Sequence, residues 1–243
     1  MRIRIDSKSP SGFLEVLLTN EMLIPCHLAA VVATTIGVKK LGKEGLGALF
    51  TLFLVISNLF VTKEIQVAGL MITTCDVYTI GSILCLNLIQ EIYGKKESRK
   101  YLYRGILFLC VFLAMSLFQN AYLSAPYSEE IGVAFKKILN HTPRIIVASL
   151  IVTLMSDRID MFIFQTAKQR FPNHLFVTRF LFSTVVSQLV DTLLFSFLAL
   201  YGVVENIWHC IFVAYFVKVI MISGSALCFF FTKKDFYKDP AWK

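Results

Sequence analysis

The 243-residue chain is 56% hydrophobic and only 16% charged, with 22 phenylalanines and a mean hydropathy of +0.68. A soluble domain carries about 25% charged residues, so this composition points to an integral membrane protein. It excludes a soluble enzyme, a nucleic-acid-binding domain, a disordered tail and a disulfide-stapled secreted module.

In chain order, a polar N-terminal segment over 1–21 precedes seven apolar runs. They lie at about 22–38, 45–62, 67–90, 102–123, 144–165, 180–201 and 207–231, each near the ~20 residues a helix needs to cross a bilayer. The first is the weakest, because it contains Pro25 and His27 and follows Glu15 and Glu21. A cleaved signal peptide sets its positive residues directly before the apolar run. Here Arg2, Arg4 and Lys8 lie far upstream, so the run reads as a membrane helix and the count is six to seven. The longest connection, around Ser124–Pro143, reads as a polar loop with Pro126, Glu129, Glu130, Lys136, Lys137 and Pro143. Residues 232–243 form a basic tail. The expected fold is all-α: one integral membrane domain over 1–243, a polytopic helix bundle without barrel alternation or a visible internal repeat.

The net charge of +8 reflects basic residues collected in the loops of one side. Seven helices place Lys39, Lys40, Lys43, the Lys95–Arg104 group, Lys168, Arg170, Arg179 and the tail lysines together, fifteen cations in all. The opposite side holds seven, with Arg158 and Lys218 left inside the membrane. The positive-inside rule then puts the C-terminus in the cytoplasm and the N-terminus outside.

Ionisable residues inside a span cost roughly 2.5–3.5 kcal/mol each on insertion scales, so each calls for a partner or a task. In the third run Asp76, Asn87 and Glu91 share one helix face, Asp76 and Asn87 roughly 16 Å apart along the axis. For Glu91 the bland alternative is an i,i+4 ion pair with Lys95 at the cytoplasmic interface. In the sixth run Thr184, Ser187, Gln188 and Asp191 fall at i, i+3, i+4 and i+7, one continuous polar face. Packing glue accounts for the Ser and the Thr but not for a Gln and an Asp one turn apart. Lys218 is a candidate counter-charge for Asp191. The fifth run carries Ser156, Asp157, Arg158 and Asp160, which reads as structural, with an aspartate neutralising Arg158 locally.

No metal site or cofactor is expected. The six cysteines form no CxxC and read as small packing residues, and His27, His141, His174 and His209 are scattered. No HExxH, GxSxG or Walker loop occurs. An intramembrane hydrolase needs a nucleophile with a base in reach, and Ser187 beside Asp191 lacks a histidine.

Four stretches carry a family resemblance: NLFVTK from Asn58 to Lys63, EIYGKKESRK from Glu91, RIIVASLI from Arg144, and RFLFSTVVSQLVDTLLF from Arg179. They resemble the queuosine precursor transporters of the vitamin-uptake-type group, from about Asn58 to the last span. The resemblance implies a multi-pass protein of the bacterial inner membrane that imports a deazaguanine base, or queuine, for tRNA modification. The family commonly reads D-x-x-x-E-x-Y-G, whereas this chain has Asn87 at the first position. If the family's acid contacts substrate, the polar pattern here is rearranged, with Asp76 on the same face.

The chemistry suits such a base. Its amino group and ring N–H form a donor pair that a carboxylate accepts, its carbonyl takes a donor, and its ring takes a stacking aromatic. The expected substrate-binding residues are therefore Asp76, Asn87, Glu91, Tyr93, Gln188 and Asp191. Asn58, Lys63, Arg144, Arg179, Thr184, Ser187 and Lys218 are expected to support them. The expected partners are the small-molecule substrate and the lipid bilayer, with no nucleic acid, and homo-oligomerisation is left open. A second hypothesis is a substrate-capture membrane subunit that depends on a separate ATPase module, since the chain has no nucleotide-binding motif of its own. A third, an intramembrane enzyme, lacks a catalytic constellation.

Overall fold

One helix, α3 (Cys75–Tyr93), is the axis of the molecule, and every residue from Ile80 through Gln90 is buried in it. The computed structural model describes residues 20–61, 63–67, 70–139, 143–171, 176–202 and 207–231. The polar N-terminal segment up to residue 19, the basic tail, His141 and His174 lie outside the described residues, as do the side chains of Arg144 and Cys228. Six further long helices pack with α3: α1 (Asn20–Val38), α2 (Gly42–Phe60), α4 (Lys95–Ala121), α6 (Pro143–Arg170), α7 (Phe176–Phe195) and α8 (Ile207–Phe231). All six touch α3. One apolar cluster runs through them, with Phe50, Leu84, Leu102, Phe164, Phe180 and Ile222 fully buried.

Each of the seven expected runs coincides with a long helix. By length and composition alone, four stretches are apolar enough to cross a membrane: Asn20–Phe60, which contains α1 and α2, then Lys95–Ala121, Phe176–Ala199 and Ile207–Leu227. The helices α3 and α6 are too polar for that test, and α3 is sheathed by its neighbours. The outer surface supplies the apolar belt instead, with Phe108 and Met115 on α4, Phe182 on α7 and Trp208, Phe212 and Phe216 on α8 exposed.

Two expectations are corrected. The third run does not start a helix at 67: residues Glu64–Val67 (β1) and Leu70–Thr73 (β2) form an antiparallel hairpin, with Ile65 opposite Ile72 and Val67 opposite Leu70. The stretch is rich in β-branched residues, and a short apolar run gives hydropathy no means of telling strand from helix. The connection at 124–143 is not simply a loop either. It contains α5 (Glu129–Leu139), an amphipathic helix with Glu129 and Glu130 in its first turn and Lys136 and Lys137 in its last. Its Ile131, Phe135 and Ile138 fall on one stripe and are exposed, the form of a helix that lies along a membrane surface.

A single residue, Gly94, joins α3 to α4. Its φ of 88° and ψ of 164° belong to backbone space that only glycine occupies at low cost, which accounts for the glycine in the E-I-Y-G-K-K run. Gly94→Ala is expected to cost about 1–3 kcal/mol, although nothing lies within 4 Å of the position a Cβ would take. Thermal unfolding in detergent checks this, and an unchanged midpoint would remove the argument.

Candidate functional site

Helix α3 presents polar groups along its whole length, and α6 and α7 answer them, so a polar seam crosses the apolar bundle in three layers. The outermost layer on the hairpin side is an ion triad. Lys218 of α8 donates to Asp191 Oδ2 of α7 at 2.7 Å and lies 3.6 Å from Asp76 Oδ1 of α3. Ser156 of α6 donates to the other oxygen of Asp191 at 3.2 Å. The side chains of Asp76, Asp191 and Lys218 keep only 14%, 16% and 10% exposure, so one lysine is shared between two largely desolvated acids.

At the opposite end of α3, about 22 Å away along the axis, Glu91 accepts from Arg179 of α7 at 2.7 Å and lies 3.3 Å from Lys168 of α6. Lys168 also donates to the Glu91 backbone carbonyl at 2.7 Å. The preceding residue, Gln90, donates to the Met161 carbonyl at 2.8 Å and to Gln165 Oε1 at 3.3 Å. The ion pair that the sequence offered for Glu91, with Lys95, is replaced by these two partners. Helix α4 starts its own axis at Lys95, beyond the Gly94 turn, so the i,i+4 geometry of one continuous helix does not apply.

Between the two ion-paired ends lies a layer of buried groups with unused hydrogen-bonding capacity. Asp160 of α6 accepts from Thr184 and Ser187 of α7 at 3.3 and 3.2 Å. Asn87 neighbours the Asp160 carboxylate, yet neither its amide nitrogen nor its oxygen has a hydrogen-bond partner among the described residues. Gln188 Oε1 and Asp157 Oδ2 are likewise buried without a partner. An unsatisfied buried polar atom costs roughly 1–3 kcal/mol, and these four, three acceptors and a donor, leave hydrogen-bonding capacity unspent on the inward faces of α3, α6 and α7. Among the described residues no three metal-ligating side chains cluster to hold an ion.

The structure thus draws Asp76, Asn87, Glu91, Gln188 and Asp191 onto one seam, with Arg179, Thr184, Ser187 and Lys218 as their neighbours. Tyr93 does not join them. It is 38% exposed at the end of α3, its hydroxyl beside Gly42. Asn58 is a structural link, donating to the Leu54 carbonyl and accepting from Ser149 of α6 at 2.8 Å. Lys63 is exposed at the entrance to the hairpin.

Sequence reasoning expected the helix α6 but left its polar residues off the seam. Ser156, Asp157 and Asp160 are buried, whereas Arg158 between them is exposed and lies over the Tyr103 ring at 5.2 Å. Arg158 is therefore not neutralised by its neighbours, because 100° per residue turns it away from them. Lys168, two turns beyond Asp160, falls on the inward face, so the periodicity of 156, 157, 160 and 168 held the signal.

An apolar-belted helix bundle with a sealed polar seam at its axis is a multi-pass membrane protein organised around a buried polar site. Residues 76–231 match the family described as "Putative vitamin uptake transporter". The chain belongs to that family, and the matched region contains all three layers of the seam. It is also 28% identical over 199 residues to the "Probable queuosine precursor transporter" of Bacillus subtilis (strain 168), covering 81% of this chain and 86% of that protein. No solved structure matches the chain.

Proposed function

We propose that the chain imports a deazaguanine base on the route to queuosine, across the bacterial inner membrane, through the seam between α3, α6 and α7. The observation that carries this reading is the middle of the seam, where both amide atoms of Asn87, Gln188 Oε1 and Asp157 Oδ2 are buried without a hydrogen bond among the described residues. A deazaguanine completes it: the amino group and ring N–H donate to Asp157, the base carbonyl accepts from the Asn87 amide, and a further ring N–H donates to Gln188 Oε1. Glu91 and Asp191, already ion-paired, act in this scheme as closures of the two ends, opened in turn. The name of the Bacillus subtilis relative supports the substrate class, and membership of a transporter family supports transport over catalysis. The basic loop ends of α3, α4 and α6 face the cytoplasm by the positive-inside rule.

Uptake complementation tests the proposal. Cells lacking queuosine synthesis and their own carrier receive this chain and are supplied with queuine or each precursor, and queuosine in tRNA is assayed. Rescue by at least one base is expected. Asn87→Ala, Asp157→Asn and Gln188→Ala are each expected to lower uptake about tenfold, the equivalent of ~1.4 kcal/mol, at normal membrane levels. Normal uptake by all three variants moves the site elsewhere. Failure of rescue with every base removes the substrate class, and rescue only alongside a co-expressed ATPase complex replaces the self-contained carrier with a capture subunit.

A further inference from the structure

Lys95 and Arg99 of α4 and Arg158 of α6 line an open groove of about 290 Å³, with Met161 and Phe162 as its apolar wall. Neither of these arginines nor the lysine has a carboxylate within 4.0 Å among the described residues, whereas their neighbours Lys100 and Arg104 pair with Glu97 and Glu44. Two of the three cations are instead held against rings: Lys95 lies 5.3 Å from the Phe162 centroid and Arg158 lies 5.2 Å from that of Tyr103. Such contacts fix the side chains but leave most of their N–H donors unspent. Both rings are themselves exposed, Phe162 at 62% and Tyr103 at 42%, so the groove opens on the outside of the bundle and not toward the seam.

An exposed arginine on a helix of a membrane bundle is costly unless an anion meets it. The anion present at that surface is lipid phosphate. We infer that this groove binds the phosphate of an anionic lipid head group, with Arg99 and Arg158 donating to its oxygens, Lys95 adding charge, and an acyl chain following Met161 and Phe162. Two guanidiniums suit the planar, paired recognition of phosphate oxygens, and a basic pocket between membrane helices is a recognised form of lipid site. The apolar wall distinguishes a lipid from free phosphate, which has nothing to place there. The inference rests on the chain's being a membrane protein and not on the identity of its substrate.

Native mass spectrometry of the full chain in detergent, with phosphatidylglycerol and phosphatidylcholine in competition, tests it. At least tenfold preferential retention of phosphatidylglycerol is expected. Arg99→Gln with Arg158→Gln is expected to abolish the preference, while Lys40→Gln with Lys63→Gln, the same loss of charge elsewhere, keeps it. Arg99→Lys with Arg158→Lys also keeps it, separating lost charge from lost folding. Equal retention of the two lipids by the unmodified chain overturns the inference, as does equal loss in both glutamine pairs. Displacement of the lipid by millimolar inorganic phosphate assigns the groove to the free anion and overturns the lipid.

Discussion

Lys218→Ala is expected to destabilise the bundle by about 3–5 kcal/mol, the cost of breaking a buried ion pair from one side. The lysine is the only cation within 4.0 Å of Asp76 or Asp191 among the described residues, so its removal leaves two acids uncompensated in a largely water-free place. Neutralising the acids as well separates charge from shape. The triple variant Lys218→Met, Asp76→Asn, Asp191→Asn is expected to regain most of the loss, because uncharged groups of similar size carry a much smaller desolvation penalty. Thermal unfolding in detergent reads both outcomes. If the triple variant is no more stable than Lys218→Ala, the lysine acts through packing and not through its charge.

Arg179→Ala is the second large effect, at about 3 kcal/mol. The Arg179 and Glu91 side chains are each 7% exposed, whereas Lys168, the remaining partner, is 32% exposed and sits farther from the carboxylate. Lys168 therefore cannot replace the short contact of Arg179, and Lys168→Ala is expected to cost less. Combining Arg179→Ala with Glu91→Gln is expected to recover about half of the lost stability, since the unpaired acid is then absent. A double-mutant cycle followed by unfolding measures that coupling. A coupling near zero would show that Glu91 and Arg179 do not depend on each other.

The seven long helices were legible because a run of about twenty apolar residues has one economical structure in a bilayer. So was the polar face of α7, since Thr184, Ser187, Gln188 and Asp191 repeat at helical spacing. The hairpin at 64–73 was not legible, because hydropathy sums apolar content and is blind to the β-branched pattern within it. The face of α6 was obscured by Arg158, whose charge suggested a local pairing that helix geometry forbids. The role of Glu91 depended on Lys168 and Arg179, 77 and 88 residues away in sequence, and no local pattern encodes such a meeting. Tyr93 was placed on the site as a ring able to stack on the base, but two residues past Glu91 it lies about 200° round α3, on the outer face.

The order in which the seam's charges are synthesised has a consequence for biogenesis. Asp76 leaves the ribosome first, Asp191 follows well after it, and Lys218, the cation that pairs with both, arrives only in α8, the last of the described helices. Until α8 is made, α3 and α7 therefore carry Asp76 and Asp191 without the charge that meets them in the finished bundle. A fragment that stops just before Lys218 keeps the Lys168 and Arg179 partners of Glu91 but leaves Asp76 and Asp191 without their cation, a costly state for helices in lipid. Synthesis of α8 is thus the step that first gives Asp76 and Asp191 their counter-charge.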